Sequence, residues 1–133
     1  MLKPDFGKYS LALIRGDEII FSADGQGLRP LVDCLEKYAQ TKGKLILHDK
    51  VIGLAAARLV HYSGIIFAVY TRLVSRPAQK FLEENGIEIY AEEVAANILT
   101  KDRRAICPGE VLALNTAEQH EFVKQIKAML GYS

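Results

Sequence analysis

The chain has 133 residues, half of them hydrophobic and a quarter charged, and a net charge of +1. That is a folding composition, long enough for one domain over residues 1–133 and too short for two ordinary ones. It excludes a disordered chain and a globally basic surface for nucleic acid or anionic membrane.

Residues 9–14 read as a strand, Arg15-Gly16-Asp17 as a turn and residues 18–22 as a second strand, together a hairpin. A loop, Ala23-Asp24-Gly25-Gln26-Gly27, leads to a helix with Pro30 in its first turn. Leu28, Leu31, Leu35, Tyr38 and Ala39 share one face of that helix, Asp33, Glu36, Lys37 and Gln40 lie opposite, and Gly43 closes it. Residues 44–48 form the third strand. Residues 51–63 read as a helix apolar on nearly every side, ended by Gly64. The run IIFAVYT, 65–71, has the pattern of a strand covered on both faces. Ser75 is a good N-cap for a helix through Asn85, with Pro77 in its first turn and Gly86 at its end. Residues 87–91 form a fifth strand, 92–99 a short helix, 100–108 a loop, and a short turn follows. Thr116, with Gln119 three residues on, forms a capping box for a last helix striped by Phe122, Val123, Ile126, Met129 and Leu130.

A hairpin followed by strand–helix repeats implies an α/β protein with a mixed sheet of five strands. Ligand sites in such sheets lie at C-terminal strand ends and the helix N-termini that follow. Those positions hold His48-Asp49-Lys50, Thr71-Arg72, Ser75-Arg76, and the loop with Arg103, Arg104 and Cys107.

This order, with the residues at its junctions, resembles the cytidine-deaminase-like fold, which implies a three-layer α/β/α sandwich. In that fold an H-x-E or C-x-E motif and a P-C-x-x-C motif open two helices, hold a zinc ion and move a proton. The first motif would fall on residues 48–53, where Lys50 replaces the carboxylate. The second would fall on SRPAQK, 75–80, which has no cysteine. Three protein ligands and a water make a catalytic zinc site, so neither a metal nor another cofactor is expected. The stretches GQGLRPLVD (25–33), HDKVIGLAAARL (48–59), SRPAQKFLEENGIEIYAEEV (75–94) and CPGE (107–110) are more closely similar to a small prokaryotic family of unknown function with this fold and no zinc motif. The chain departs from that family's pattern in the basic TKDRRAI before CPGE.

Each candidate residue has a structural and a functional reading. Asp49 caps the helix after it, or that N-terminus and Lys50 bind an anion. His48 bonds a neighbouring carbonyl, or contacts a ligand or carries a proton. Ser75 is an N-cap, and Arg72 and Arg76 are solvated or rim the strand ends for a carboxylate or phosphate. Cys107 is a buried apolar residue, or a thiol activated by adjacent arginines and a helix start, with Glu110 as its base. Cys34 is a core residue. Gly25-x-Gly27 lacks the third glycine of a dinucleotide loop. Arg103-Arg104 lacks the aromatic interleaving of a single-strand groove, so nucleic acid is not an expected partner.

Two cysteines far apart predict free thiols in a reducing cytoplasm, and MLKPDFGKYS has no apolar signal region. No apolar run reaches membrane-spanning length, and Arg58 interrupts the longest. The leading expectation is a cytoplasmic, zinc-free domain binding a nucleotide-like or other small anionic ligand through His48, Asp49, Lys50, Arg72, Ser75 and Arg76. A zinc-independent enzyme or redox protein using Cys107 and Glu110 is the second reading, and a structural or partner-binding subunit the third. A homodimer is expected from the habit of deaminase-like domains.

Overall fold

The computed structural model describes residues 2–41, 44–98 and 107–132. The expected helix stop at Gly43 and the basic pair Arg103-Arg104 lie outside them. The chain runs β1 (Leu11–Arg15), β2 (Glu18–Ala23), α1 (Arg29–Lys37), β3 (Leu45–Asp49), β4 (Val51–Ile52), α2 (Leu54–Ser63), β5 (Ile66–Ser75), α3 (Arg76–Glu84), β6 (Glu88–Ala95), α4 (Pro108–Asn115) and α5 (Gln119–Met129).

The six strands fill five lanes of one mixed sheet. β1 pairs antiparallel with β2 and with β3. The β1–β2 turn carries Gly16 at φ +63°, a left-handed conformation suited to a tight hairpin. β3 and β4 run parallel to one side of β5, and β6 runs parallel to the other. β4 therefore continues the lane of β3 after a break at Lys50. Among the described residues no helix is long and apolar enough to cross a membrane.

Several boundaries differ from those read in the sequence, and strand pairing explains the first three. Val51 and Ile52 pair with Leu73 and Val74, so α2 starts three residues later than expected, at Leu54. β5 continues to Ser75 because it has a partner on each side there. Glu92 to Ala95, helical by local propensity, are held as strand by pairing with the end of β5, which overrides propensity. The segment after Cys107 is a full helix, α4, with Pro108 in its first turn, and α5 is capped by Glu118, not Thr116.

All buried apolar side chains of the five helices belong to one cluster, packed on the sheet face that carries Leu11, Leu13, Leu45, Leu47 and Val69. The other face has a smaller cluster of Tyr9, Ala12, Ile14, Ile46 and Ala68, packed against Leu2, Phe6, Phe67 and Tyr70. The third, helical layer expected from the sequence is thus replaced, among the described residues, by a thin cover from the N-terminal segment.

His48 lies under that cover, fully buried. The Asp5 N–H donates to the Tyr9 hydroxyl (3.0 Å), and that hydroxyl shares a hydrogen bond with His48 Nδ1 (2.9 Å). Nε2 has no hydrogen-bond partner among the described residues. The ring also stacks on Tyr9 and meets Tyr70 edge-on at 5.6 Å. An unpaired buried polar atom costs about 1–3 kcal/mol, and burial pushes the His48 pKa down to about 4. The native state therefore holds fewer protons than the unfolded chain between pH 6.5 and 4. Stability from this group is complete above that window and falls as the pH drops through it, by about 3 kcal/mol in all. Urea titrations of wild type and His48→Gln across pH 4–7 test this. The difference between the two profiles should change by that amount, and a constant offset would show that His48 does not titrate there.

Candidate functional site

Three segments meet beside the C-terminal end of β3: the loop 24–28, the Lys50 break with the start of α2, and the first turn of α4. They enclose a cleft of about 670 Å³ whose lining includes Asp24, Asp49, Lys50, Gly53, Cys107 and Glu110. That volume lies within the range of small-molecule pockets, about 300–1,000 Å³.

The cleft is organised by Glu110. α2 has no side-chain cap of its own, because its N-cap is Gly53. The Leu54 N–H donates to Glu110 Oε2 and the Ala55 N–H to Oε1, both at 2.7 Å. A carboxylate from another helix thus satisfies two of the four amides that a helix start leaves unpaired, and it faces the positive end of the helix dipole. The approach requires glycine: a β-carbon on Gly53 would stand 2.5–2.8 Å from the three atoms of the Glu110 carboxyl group. Asp49 was the expected cap, but β4 separates it from the helix.

The reverse tie comes from Arg58, which is 6% exposed. From the second turn of α2 its Nη1 donates to the carbonyls of Ala113 (2.7 Å) and Thr116 (2.5 Å) at the end of α4. Its Nε donates to Gln119 Oε1 (2.8 Å), and the guanidinium lies 4.2 Å from the centre of the Phe122 ring. Burial lowers the Arg58 pKa, and Glu118 opposes that shift. Helices α2 and α4 thus cap one another, with a carboxylate at one N-terminus and a guanidinium at the other's C-terminus.

Asp49 points to the helix side of the sheet. Burial pushes its carboxyl up to about 8, against the opposing effect of the Val51 and Lys50 amides, so the acid is largely protonated near neutrality. Burial, with Asp49 next in importance, also pushes the Cys34 thiol up to about 12, and Cys34 is fully enclosed in the core. Lys50 donates its N–H to Ser10 O (2.9 Å) and accepts from Leu73 N (3.3 Å), which fixes it at the cleft margin. Cys107 is the N-cap residue of α4; its carbonyl accepts from the N–H groups of Glu110 (2.9 Å) and Val111 (3.1 Å).

The structure therefore brings together Asp49, Lys50, Cys107 and Glu110 and leaves the other candidates apart. His48 is on the opposite sheet face. Arg72 and Arg76 are exposed and do not line the cleft. Ser75 is buried and caps α3, accepting from the Ala78 N–H (3.2 Å). Both Glu110 oxygens are held by α2, so Glu110 is not a free base for Cys107. Gly53, Arg58 and Asp24 were not foreseen. The one usable sign was Arg58, a lone cation in an apolar helix that needs buried acceptors.

Glu110→Ala should cost about 2–4 kcal/mol, since it strands two amides of a buried helix start. Gly53→Ala should cost a similar amount by expelling the same carboxylate. The double variant should be little worse than either single one. Denaturant unfolding of all four proteins measures this, and additive losses would show that the two residues act separately.

A family model described as TM1506, domain of unknown function (DUF1893), matches residues 5–130. The fold is similar to the crystal structure of a DUF1893 family protein (TM1506) from Thermotoga maritima. The two are 26% identical, the match covers 92% of this chain and 82% of that one, and the TM-score is 0.82. No curated protein matches. With the family model spanning nearly the whole sequence and a solved member sharing the fold, the chain belongs to the DUF1893 family.

Proposed function

We propose that this domain is a small-molecule binding module with the chain order of the cytidine-deaminase-like fold and without its metal chemistry. The support for the fold is the hairpin followed by parallel strand–helix units, in which α2 and α3 start directly after β4 and β5. The donor set does not fit zinc. Gly53 and Ser75 stand at the starts of those helices, His48 faces away, and among the described residues no three His, Cys, Asp or Glu side chains come close enough to share a metal ion.

The observation that carries the binding proposal is the cleft and its charge. Among the described residues the carboxylates Asp24 and Glu110 and the largely neutral Asp49 line it, against the cation Lys50. Glu110 already occupies the α2 amides that an anion would seek. This shifts the reading away from the anionic ligand expected from the sequence and toward an uncharged or basic, hydrogen-bonding molecule of nucleoside size. Largely protonated Asp49 offers it a donor, and the loop 24–28 offers backbone groups. Cys107 shares the lining, so thiol chemistry on a bound molecule is the second reading, with its base supplied by a group other than Glu110.

Of the two cysteines, Cys34 is sealed and Cys107 is partly exposed, so Cys107 is a built-in reporter. The four common nucleosides and their 5′-monophosphates should be compared by thermal shift and by protection of Cys107 from iodoacetamide. At least one nucleoside should raise Tm and slow labelling, and its monophosphate should bind about tenfold more weakly or worse, the penalty of one misplaced charge. Stronger binding of the monophosphates would refute the charge assignment. Stabilisation with no protection of Cys107 would place the ligand outside the cleft.

A further inference from the structure

The two outer strands of the sheet differ in a way that ligand binding does not explain. Outer strands present unpaired N–H and C=O groups, and proteins blunt them with bulges, prolines, short length or charge. β2 is disrupted by a register shift in its pairing with β1. β6 has eight residues, no proline and no register shift, and among the described residues nothing pairs with its outer side. It is longer than the usual strand of about 5–6 residues.

Among the described residues the protection on β6 is negative charge. Glu88, Glu92 and Glu93 lie on the strand, Glu83 and Glu84 lie on the helix before it, and all five are exposed. None forms an ion pair among the described residues. Two β6 edges brought together would set these glutamates against one another, which disfavours a second copy of the chain. The same charge favours a cationic strand. On the sheet face, exposed Tyr90 and Val94 alternate with Glu88 and Glu92, and Tyr90 is braced by stacking on Tyr70 at 4.7 Å. A strand laid beside β6 would therefore meet acidic and apolar positions in turn.

We propose that the free edge of β6 docks an extended segment of a basic partner protein, which joins the sheet as an additional strand. Main-chain hydrogen bonds supply the attachment, and the glutamates select lysine- or arginine-rich sequence. The surface is separate from the cleft and does not depend on its ligand.

The test uses the full chain and a capped ten-residue peptide of alternating lysine and threonine, with a glutamate–threonine peptide as control. Amide exchange followed by NMR should show protection at alternate β6 residues, those that β5 leaves unpaired. Affinity should fall about tenfold between 50 and 300 mM salt, as for exposed charges. The E88K/E92K/E93K variant, whose fold is checked by its unchanged exchange pattern in the core strands, should lose the lysine peptide and gain the glutamate peptide. No β6 protection at millimolar peptide, equal binding of both peptides, or wild-type self-association through β6 would each overturn the proposal. If the triple variant fails to fold, E92K alone should weaken the lysine peptide at least threefold, and unchanged affinity would overturn the proposal equally.

Discussion

The arrangement rests on the exchange of caps between α2 and α4. Glu110 closes the start of α2 and Arg58 closes the end of α4. Each buried charge has its compensation in backbone groups of the other helix, so neither can be removed without stranding the amides or carbonyls it serves. Small residues make the contact close enough. Gly53 admits the carboxylate, and at Gly109 a β-carbon would stand 3.0 Å from Leu28, which seats the first turn of α4 on the loop that leads into α1. The cleft exists because this seat holds the α4 start, the α2 start and the loop 24–28 at fixed separation.

The same exchange determines which groups are left to face the cleft. A helix N-terminus at the end of a parallel strand is ordinarily a place for phosphate or carboxylate. Here that capacity is used internally, and among the described residues the other ionisable side chains that line the space are Asp24, Asp49, Lys50 and Cys107. The arginines that would have reinforced an anion site, Arg72 and Arg76, are directed elsewhere. The two sheet faces are correspondingly unequal. One carries all five described helices. The other carries an aromatic row from Tyr9 through His48 and Tyr70 to Tyr90 that grades from fully buried to nearly half exposed. His48, expected from the sequence among the ligand-binding residues, belongs to that row.

Much of the fold was legible in the chain because it is locally encoded. The hairpin around Gly16, the Ser75 cap, the apolar faces of α1 and α5 and the parallel strands all follow from spacing and turn chemistry. The matching stretches from GQGLRPLVD to CPGE also pointed to a family of unknown function. What local pattern misassigned were Val51-Ile52, residues 92–95 and the segment after Cys107. In the two strand segments, pairing with β5 decides the conformation, and no window of neighbouring residues contains that information.

The site divides along the same line. From the sequence came the junction at Asp49-Lys50 and the residues Cys107 and Glu110, because reactive and charged types at element ends stand out. Their grouping was decided by tertiary structure alone. Glu110 lies 56 residues from Leu54 in sequence, and only the folded chain brings its carboxylate to that amide. A one-residue step along β3 turns Asp49 toward the helices and His48 away from them, since successive side chains alternate across a sheet. Sequence determined which chemical groups this protein possesses. The three-dimensional pairing of strands and helices decided which of them share a space and which are already engaged with the backbone.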